Sequence, residues 1–386
     1  MKLQKKISVV HIITKLELGG AQKVCLELVE GLKNESVETY LISGVQGTIA
    51  HRVKHIPNVF LLPSLKREVS FFNFFYEIKT FISIIGILRN LKKKYPDIIV
   101  HTHSTKAGLV GRWAAFFVGI KIRIHTIHGY GFNPYQNWIV WTLIYFLEFI
   151  SSFITSHYIC VSSEDVKTGI RLFPRFAKKH TIIRAAISWS QFYIPAVKTQ
   201  WPASQDRPFI FGTVSSFTQP GKNIVELLQA FLRVHEYCSD IRLEIIGGGY
   251  LQRQAQEWVN NHPEIIDKVT FWGWQEQIVP IMLKWHAFIF TSLWEGLPCA
   301  IVEARMLKLP ILSYKTGGIS DVIFHGENGF LYPQKQWQAL AQGMQELLDN
   351  PELYEKFRLY NDHLDQFNNI TMIKNHKKLY DFLKKS

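Results

Sequence analysis

Glu295 and Glu303 stand on either side of Gly296, Leu297, Pro298, Cys299 and Ala300. The apolar run at 287–291 reads as a buried strand, and the residues after it as a short loop entering a helix near Pro298. Proline at a first helical position costs little, because that N–H has no intrahelical partner and its φ is already helical. The remaining N–H groups of the helix start, at the positive end of the dipole, form a site for a phosphate. Carboxylates on both sides of an anion site suit a ligand with a phosphate and several hydroxyls. A nucleotide sugar is such a ligand: one carboxylate accepts from ribose hydroxyls, the other from the sugar. A glycosidase would instead need two close carboxyls acting as acid and nucleophile. Here one glutamate lies in a loop and the other in the helix after it.

Histidines form a second group. His101 and His103 precede Lys106, and His125 precedes His128. Four imidazoles invite a metal, but the pairs fall on two separate strand ends with no carboxylate between them, so no metal site is expected. Gly19 and Gly20 follow the first strand, where glycine lets the backbone approach a ligand.

These residues need strands and helices to hold them. In the first half, strands are expected at 7–13, 38–43, 98–101, 122–126 and 158–161, separated by helices. The segment 195–208 has three prolines and little periodicity and reads as a linker. Alternation restarts after it, with strands at 209–214, 242–246, 269–272, 287–291 and 310–314, and helices from 336 on. Alternating strands and helices imply a parallel sheet covered on both faces, here twice. The expected organisation is an N-terminal domain at 1–194, a linker at 195–208, a second domain at 209–365, and a last helix at 366–386. Open sheets of this kind bind ligands beyond the carboxyl ends of their strands.

The run Glu295-Gly296-Leu297-Pro298 with Glu303-Ala304, followed by Gly317-Gly318 and Asp321 and then by Gly326, Gly329 and Leu331, resembles the Glu-x7-Glu motif of retaining glycosyltransferases, in particular glycosyltransferase family 4. The resemblance covers nearly the whole chain and is densest at 209–333. It implies a GT-B fold: two Rossmann-like α/β domains facing a central cleft, the second holding a nucleotide sugar, with the last helix crossing back to the first domain. By that match Glu295 would hydrogen-bond the donor sugar and Glu303 the ribose. The loop at Gly19 and Gly20 would lie against the donor phosphate or the acceptor. His128 would sit near the transferred sugar, and His101, His103 and Lys106 would line the acceptor side, as in family members acting on lipid-linked sugars. Gly248 lies in a turn resembling the family's Gly-x-Gly, and Trp274 where the family holds the nucleobase. The family clamps the diphosphate with an arginine and a lysine. Here the arginine position reads Ser216, and the lysine, Lys222, comes one residue late. Serine offers one weak donor where guanidinium offers a charged fork, so the helix start at Leu297–Ala300 is expected to carry more of the phosphate's charge. The leaving diphosphate is thought to help deprotonate the acceptor in such enzymes, and they generally need no metal. No cofactor is implied beyond the substrate, a UDP-sugar.

The chain has 386 residues and a net charge of +13, unevenly placed. Residues 1–190 carry 25 Lys/Arg against 11 Asp/Glu, and residues 191–386 carry 19 against 20. A basic half beside a neutral one suggests an anionic partner. No nucleic-acid module accompanies it, so an anionic membrane surface is expected instead. Two stretches favour that partner. The run 69–88 is aromatic and aliphatic and ends in basic residues; the run 138–154 is almost wholly apolar. Glu77, Lys79 and Glu148 interrupt them, so neither reads as a membrane span. Each reads as a core helix, an interfacial one, or both on different faces of one helix. The four cysteines have no Cys-x2-Cys spacing, which favours a reducing compartment. The basic start with its short apolar run reads as a strand, not a signal peptide. The reading is therefore a retaining, metal-independent glycosyltransferase at the inner face of the cytoplasmic membrane. It would move a hexose or N-acetylhexosamine from a UDP-sugar to a polyprenyl-diphosphate-linked glycan in bacterial surface polysaccharide synthesis. The alternatives are a nucleotide-sugar 2-epimerase and an inactive GT-B protein that binds glycans.

Overall fold

A computed structural model of the protein describes residues 7–17, 19–47, 49–53, 56–66, 74–192 and 208–385. Most of the expected linker, the basic start and residues 69–73 of the first apolar run lie outside them. The chain divides into two compact units, Met1–Ile187 with Asp365–Ser386, and Ser188–Leu364.

The first unit runs β1 (Ile7–Ile12), α1 (Gly20–Asn34), β2 (Val37–Gly44), α2 (Ala50–Val53), β3 (Val59–Leu62), α3 (Phe74–Lys94), β4 (Ile99–His103), α4 (Thr105–Phe117), β5 (Arg123–Ile127), α5 (Trp138–Ile154), β6 (His157–Cys160), α6 (Ser163–Leu172) and β7 (His180–Ile182). The second runs α7 (Trp189–Phe192), β8 (Phe209–Val214), α8 (Ile224–Tyr237), β9 (Ile241–Ile246), α9 (Gln252–Asn260), β10 (Val269–Gly273), α10 (Val279–Met282), β11 (Ala287–Phe290), α11 (Cys299–Met306), β12 (Ile311–Tyr314), β13 (Gly329–Tyr332), α12 (Trp337–Asp349) and α13 (Pro351–Leu359). The last helix, α14 (Asn369–Lys385), belongs to the first unit, where Asn369 Nδ2 donates to Glu27 Oε2 of α1 at 3.0 Å.

Each unit holds one parallel sheet. The strand order is β3-β2-β1-β4-β5-β6-β7 in the first and β10-β9-β8-β11-β12-β13 in the second. The strands β1, β4, β8 and β11 are buried along almost their whole length, as expected of sheets covered on both faces. Three short strands escape the sequence pattern: β3, β7 and β13, of four, three and four residues. All lie at sheet edges, where half-exposed side chains weaken the apolar signal. In both sheets the order reverses beside the first strand, between β1 and β4 and between β8 and β11. Such reversal points are where doubly wound sheets leave a crevice at the strands' carboxyl ends.

The second apolar run becomes α5, and its polarity is inverted. Its buried residues are Glu148, Ser151, Ser152 and Ile154, whereas Trp138 (74% exposed), Ile139, Leu143, Phe146, Leu147 and Phe153 face outward. Glu148 is buried because Arg112 of α4 donates to it from Nη2 at 2.7 Å. The same guanidinium donates to Thr155 Oγ1 and to the Gly108 carbonyl, at 3.0 and 2.8 Å. Glu148 therefore points the apolar face of α5 away from the protein instead of interrupting a core helix. No helix among the described residues is long and apolar enough to cross a membrane.

Candidate functional site

In the second unit the loop after β11 is tied to the turn before α8. Thr291 Oγ1 donates to the Asn223 carbonyl at 3.0 Å, and the Leu293 N–H to the Gly221 carbonyl at 2.7 Å. Those bonds bring Lys222 Nζ to 2.5 Å from Glu295 Oε1, with both side chains mostly buried. The loop is braced from β12 as well. Thr316 Oγ1 donates to the Leu293 carbonyl at 3.1 Å, and the Gly318 N–H to the Gly296 carbonyl at 2.5 Å. Gly317 has φ +50°, and a Cβ there would lie 2.1 Å from the Glu295 carbonyl oxygen, so only glycine allows this approach. Asp321 closes the one-turn 3-10 helix that follows.

The helix after Glu295 starts one residue later than the sequence suggests. Pro298 is its N-cap, with ψ 117°, and Cys299 its first residue. Proline cannot cap with a side chain, and none does. Leu297 and Cys299 are buried, with Gly296 and Ala300 beside them. Glu303 is 3% exposed within α11. Two residues on, the fully buried Arg305 grips Asp362 from Nε and Nη2 at 3.1 and 2.5 Å, and Asn328 Nδ2 donates to the same carboxylate at 2.8 Å. The sequence reading did not foresee this clamp, which anchors α11; Arg305 is 57 residues from Asp362, so no local spacing announces it.

The other wall of this site is the turn after β8. Ser216 Oγ accepts from Thr218 Oγ1 at 3.3 Å. Phe217 N–H donates to the Gly248 carbonyl at 2.9 Å, fastening this turn to the glycines after β9. Gly247 has φ +125°, with the Ser215 carbonyl 1.7 Å from where a Cβ would stand. A Cβ on Gly248 would be 2.8 Å from the Trp274 indole, so this tryptophan lies over the turn with 41% of its surface exposed. Trp272 is engaged differently: its Nε1 donates to Glu244 Oε2 at 3.2 Å, an oxygen shared with buried Trp285 at 2.8 Å.

The first unit's reversal point holds imidazoles. His11 of β1 is paired in register with His101 of β4. His11 Nδ1 lies 3.2 Å from His103 Nε2, and His103 Nδ1 lies 3.2 Å from His128 Nε2. His101 is bonded on both nitrogens, to Tyr380 Oη of α14 and to Thr126 Oγ1, each at 2.6 Å. His11, His101 and His103 are buried, and His128 is the part-exposed outer member. His101 and His103 were expected to line an acceptor. Their side chains are fully buried with both ring nitrogens bonded, and His103 joins them to the part-exposed His128. Lys106 is held by Glu77 Oε1 at 2.5 Å. Gly19 is the N-cap of α1 and Gly20 its first residue.

Burial keeps this cluster neutral. It pulls His11 down to about 3 and His376 of α14 to about 4, and drives His101 and His103 well below the ordinary range, the neighbouring imidazoles adding to it. His128 is lowered for the same reason. In a neutral chain each ring carries one hydrogen. His11 Nε2 is buried and has no partner among the described residues. An unpaired lone pair is better tolerated than an unpaired N–H. The hydrogens then run outward: His11 Nδ1–H donates to His103, whose Nδ1–H donates to His128 Nε2. His128 is left with a hydrogen on Nδ1, a donor suited to a sugar hydroxyl. The sequence reading missed His11; its only signal is a histidine in an otherwise apolar strand. His11, Cys25 and His103 also bring ligand-capable atoms within 4.8 Å of one another. To hold an ion, His103 would have to give up one of its two imidazole bonds and the thiol lose a proton that burial makes it keep.

The Glycosyl transferases group 1 family model matches residues 198–363, and the Glycosyltransferase Family 4 model matches residues 18–187. The chain is 27% identical over 355 residues to UDP-Gal:alpha-D-GlcNAc-diphosphoundecaprenol alpha-1,3-galactosyltransferase of Escherichia coli, covering 90% of this chain and 89% of that protein. It is 23% identical over 373 residues to the capsular polysaccharide biosynthesis glycosyltransferase CapM of Staphylococcus aureus, covering 92% and 90%. Among solved structures, Anabaena HepE in complex with UDP superposes with a TM-score of 0.75 at 18% identity, covering 98% of this chain and all of that one. The two parallel-sheet units are thus those of the GT-B fold, and the chain is a glycosyltransferase belonging to glycosyltransferase family 4.

Proposed function

We propose that this enzyme transfers a hexose or N-acetylhexosamine, with retention, from UDP-sugar to a polyprenyl-diphosphate-linked glycan in bacterial surface polysaccharide synthesis. The observation that carries this is the Lys222–Glu295 pair at the reversal point of the second sheet, flanked by glycine turns and the start of α11. A diphosphate competes with Glu295 for the Lys222 ammonium. When it takes that cation, Glu295 is freed to accept from hydroxyls of the donor sugar. The α11 start adds backbone donors where a second cation is lacking at Ser216. Trp274 offers an aromatic face to the base, and Glu303 a carboxylate to the ribose. No metal or cofactor is required by this arrangement. The donor reading is supported by the UDP bound to HepE, and the acceptor reading by the lipid-linked substrate in the name of the E. coli relative.

Membrane association belongs to the same proposal. The outward apolar face of α5, with exposed Phe116 and Phe117 at the end of α4 and Phe75 and Ile82 on α3, suits the interfacial zone of a bilayer. It would bring the enzyme to the inner face of the cytoplasmic membrane, where a polyprenyl acceptor resides. The test is incubation with UDP-galactose and GlcNAc-diphosphoundecaprenol in EDTA. The expected product is a disaccharide lipid whose anomeric configuration matches that of the donor. Release of free sugar with no lipid product, across a panel of UDP-sugars and lipid-linked acceptors, would count against transfer and favour an epimerase or hydrolase.

A further inference from the structure

The outer stripe of α3 changes character along its length. Phe75, Ile78 and Ile82 are exposed on one face, and Gly86, Arg89 and Lys93 continue that face toward the helix's end. At Gly86 the stripe enters a cavity of about 480 Å³ lined by Gly86, Arg89, Asn90, Lys92, Lys93 and Val118. Lys92 is already committed, donating to the carbonyls of Val118 and Gly119 at 2.8 and 3.0 Å, which satisfies the end of α4. Arg89 and Lys93 have no ion-pair partner among the described residues. Open space lies where a side chain on Gly86 would stand. The cavity wall at Val118 adjoins Phe117, whose ring packs edge-on against Phe81 of α3. A cationic recess therefore opens directly beside an outward aromatic surface.

We infer that this recess seats the phosphate of an anionic phospholipid headgroup while the neighbouring aromatic residues enter the bilayer. The inference rests on the membrane reading above and sharpens it. Diffuse attraction needs only basic residues near the surface. A seat also needs a concavity of headgroup size, unpaired cations pointing at it, and an apolar rim that follows the acyl chains down. All three coincide here. Arg89 supplies a fork that fits two phosphate oxygens, and Lys93 a point charge one turn on.

Flotation of the full chain with vesicles tests it, using phosphatidylcholine alone and an equal mixture with phosphatidylglycerol. Wild type is expected to favour the anionic vesicles. Arg89→Gln with Lys93→Gln should weaken that binding about fivefold per cation, so about 25-fold for the pair. Arg171→Gln with Lys178→Gln, the same charge removed from exposed sites outside the recess, should lose much less. Gly86→Leu fills the recess without removing charge, and should also lose the preference for phosphatidylglycerol. Equal losses from the two charge pairs, with Gly86→Leu unaffected, would leave only diffuse attraction and overturn the seat. Inorganic phosphate that stabilises wild type but not Arg89→Gln/Lys93→Gln, with flotation unchanged between them, would assign the recess to free phosphate and overturn it too. The parent reading fails separately. If wild type floats with neither vesicle, the membrane proposal falls; if Leu143→Ser with Phe146→Ser abolishes flotation while the recess variants float normally, only the seat falls.

Discussion

The two sheets reverse their strand order at corresponding places and fill those places with opposite chemistry. The first unit sets uncharged imidazoles there, His11, His103 and His128 in a chain of hydrogen bonds kept neutral by burial. The second sets a charged pair, Lys222 and Glu295, amid glycine turns that leave backbone groups close at hand. A neutral donor chain suits sugar hydroxyls, which carry no charge. A cation, a carboxylate and a helix start suit a diphosphate sugar. The same architecture thus carries a neutral cluster and a charged pair at one topological position.

The two units are each held by similar buried charges, and the largest expected effects lie there. Each unit has a buried guanidinium–carboxylate pair among its described residues, Arg112–Glu148 in the first and Arg305–Asp362 in the second. Losing Arg112 strands the Glu148 charge, so Arg112→Ala should cost about 3–5 kcal/mol in denaturant unfolding. Arg305→Ala should cost less, because Lys308 Nζ stays 3.4 Å from the Asp362 carboxylate and Asn328 still donates to it. Arg112→Ala carries a further consequence, because Glu148 orients α5: vesicle binding should fall together with stability. Stability lost with vesicle binding intact would separate α5 from the membrane.

Next in size is the charged pair. Glu295→Gln keeps the shape of the loop and removes the carboxylate. Transfer should fall by about 10²–10³-fold, the scale seen when one oriented polar group is lost from an active site. The melting temperature should stay close to that of wild type, since the loop is braced by backbone and hydroxyl bonds from β12 and the 220–223 turn. Turnover at the wild-type rate would remove Glu295 from the mechanism.

Acid should separate the units more gradually. A histidine that is neutral when folded but ordinary when unfolded contributes stability that is fully present above about 6.5. That contribution declines as pH falls toward the folded value, because the unfolded chain takes up the proton first. Each such group costs about 1.4 kcal/mol per pH unit below that point. The first unit carries His11, His101, His103, His125, His128, His157 and His376 in this class. The second carries His286, lowered to about 4, and His235 to a lesser degree. Amide protection factors, each taken against the intrinsic exchange rate at that pH, should therefore fall between pH 6.5 and 5 in β1, β4 and β5 before β8 and β11. The reverse order would contradict a neutral cluster. Smallest is Trp274→Ala, which should weaken UDP binding by about 0.5–1.5 kcal/mol if the indole packs on the base.

The sequence pattern was most legible where one face of an element had to be apolar. Parallel strands buried on both sides announce themselves as continuous apolar runs, which is why β1, β8 and β11 could be placed from sequence. The edge strands β3, β7 and β13 could not, being short and only half covered. Glu295 and the glycines near it stand out by local spacing, whereas Lys222 comes only with the family resemblance, and its pairing with Glu295 spans 73 residues that no local pattern bridges. The histidine chain was only partly so, because its members come from β1, β4 and the end of β5, and only the register between strands reveals that they touch. The hardest case was α5. Hydropathy counts apolar residues but does not say which way they face, and Glu148 shows that the polar side of this helix is the inner one.

Binding of a nucleoside diphosphate at the second unit's reversal point, through Lys222 and the start of α11, is what the proposed function most depends on. Calorimetric titration of UDP, in EDTA, into wild type and Lys222→Ala tests it directly. UDP should bind wild type without added metal, with GDP and ADP weaker, and Lys222→Ala should lose about tenfold or more, as for a hydrogen bond to a charged group. Equal UDP affinity in the two proteins, or binding restored only by a divalent cation, would contradict it.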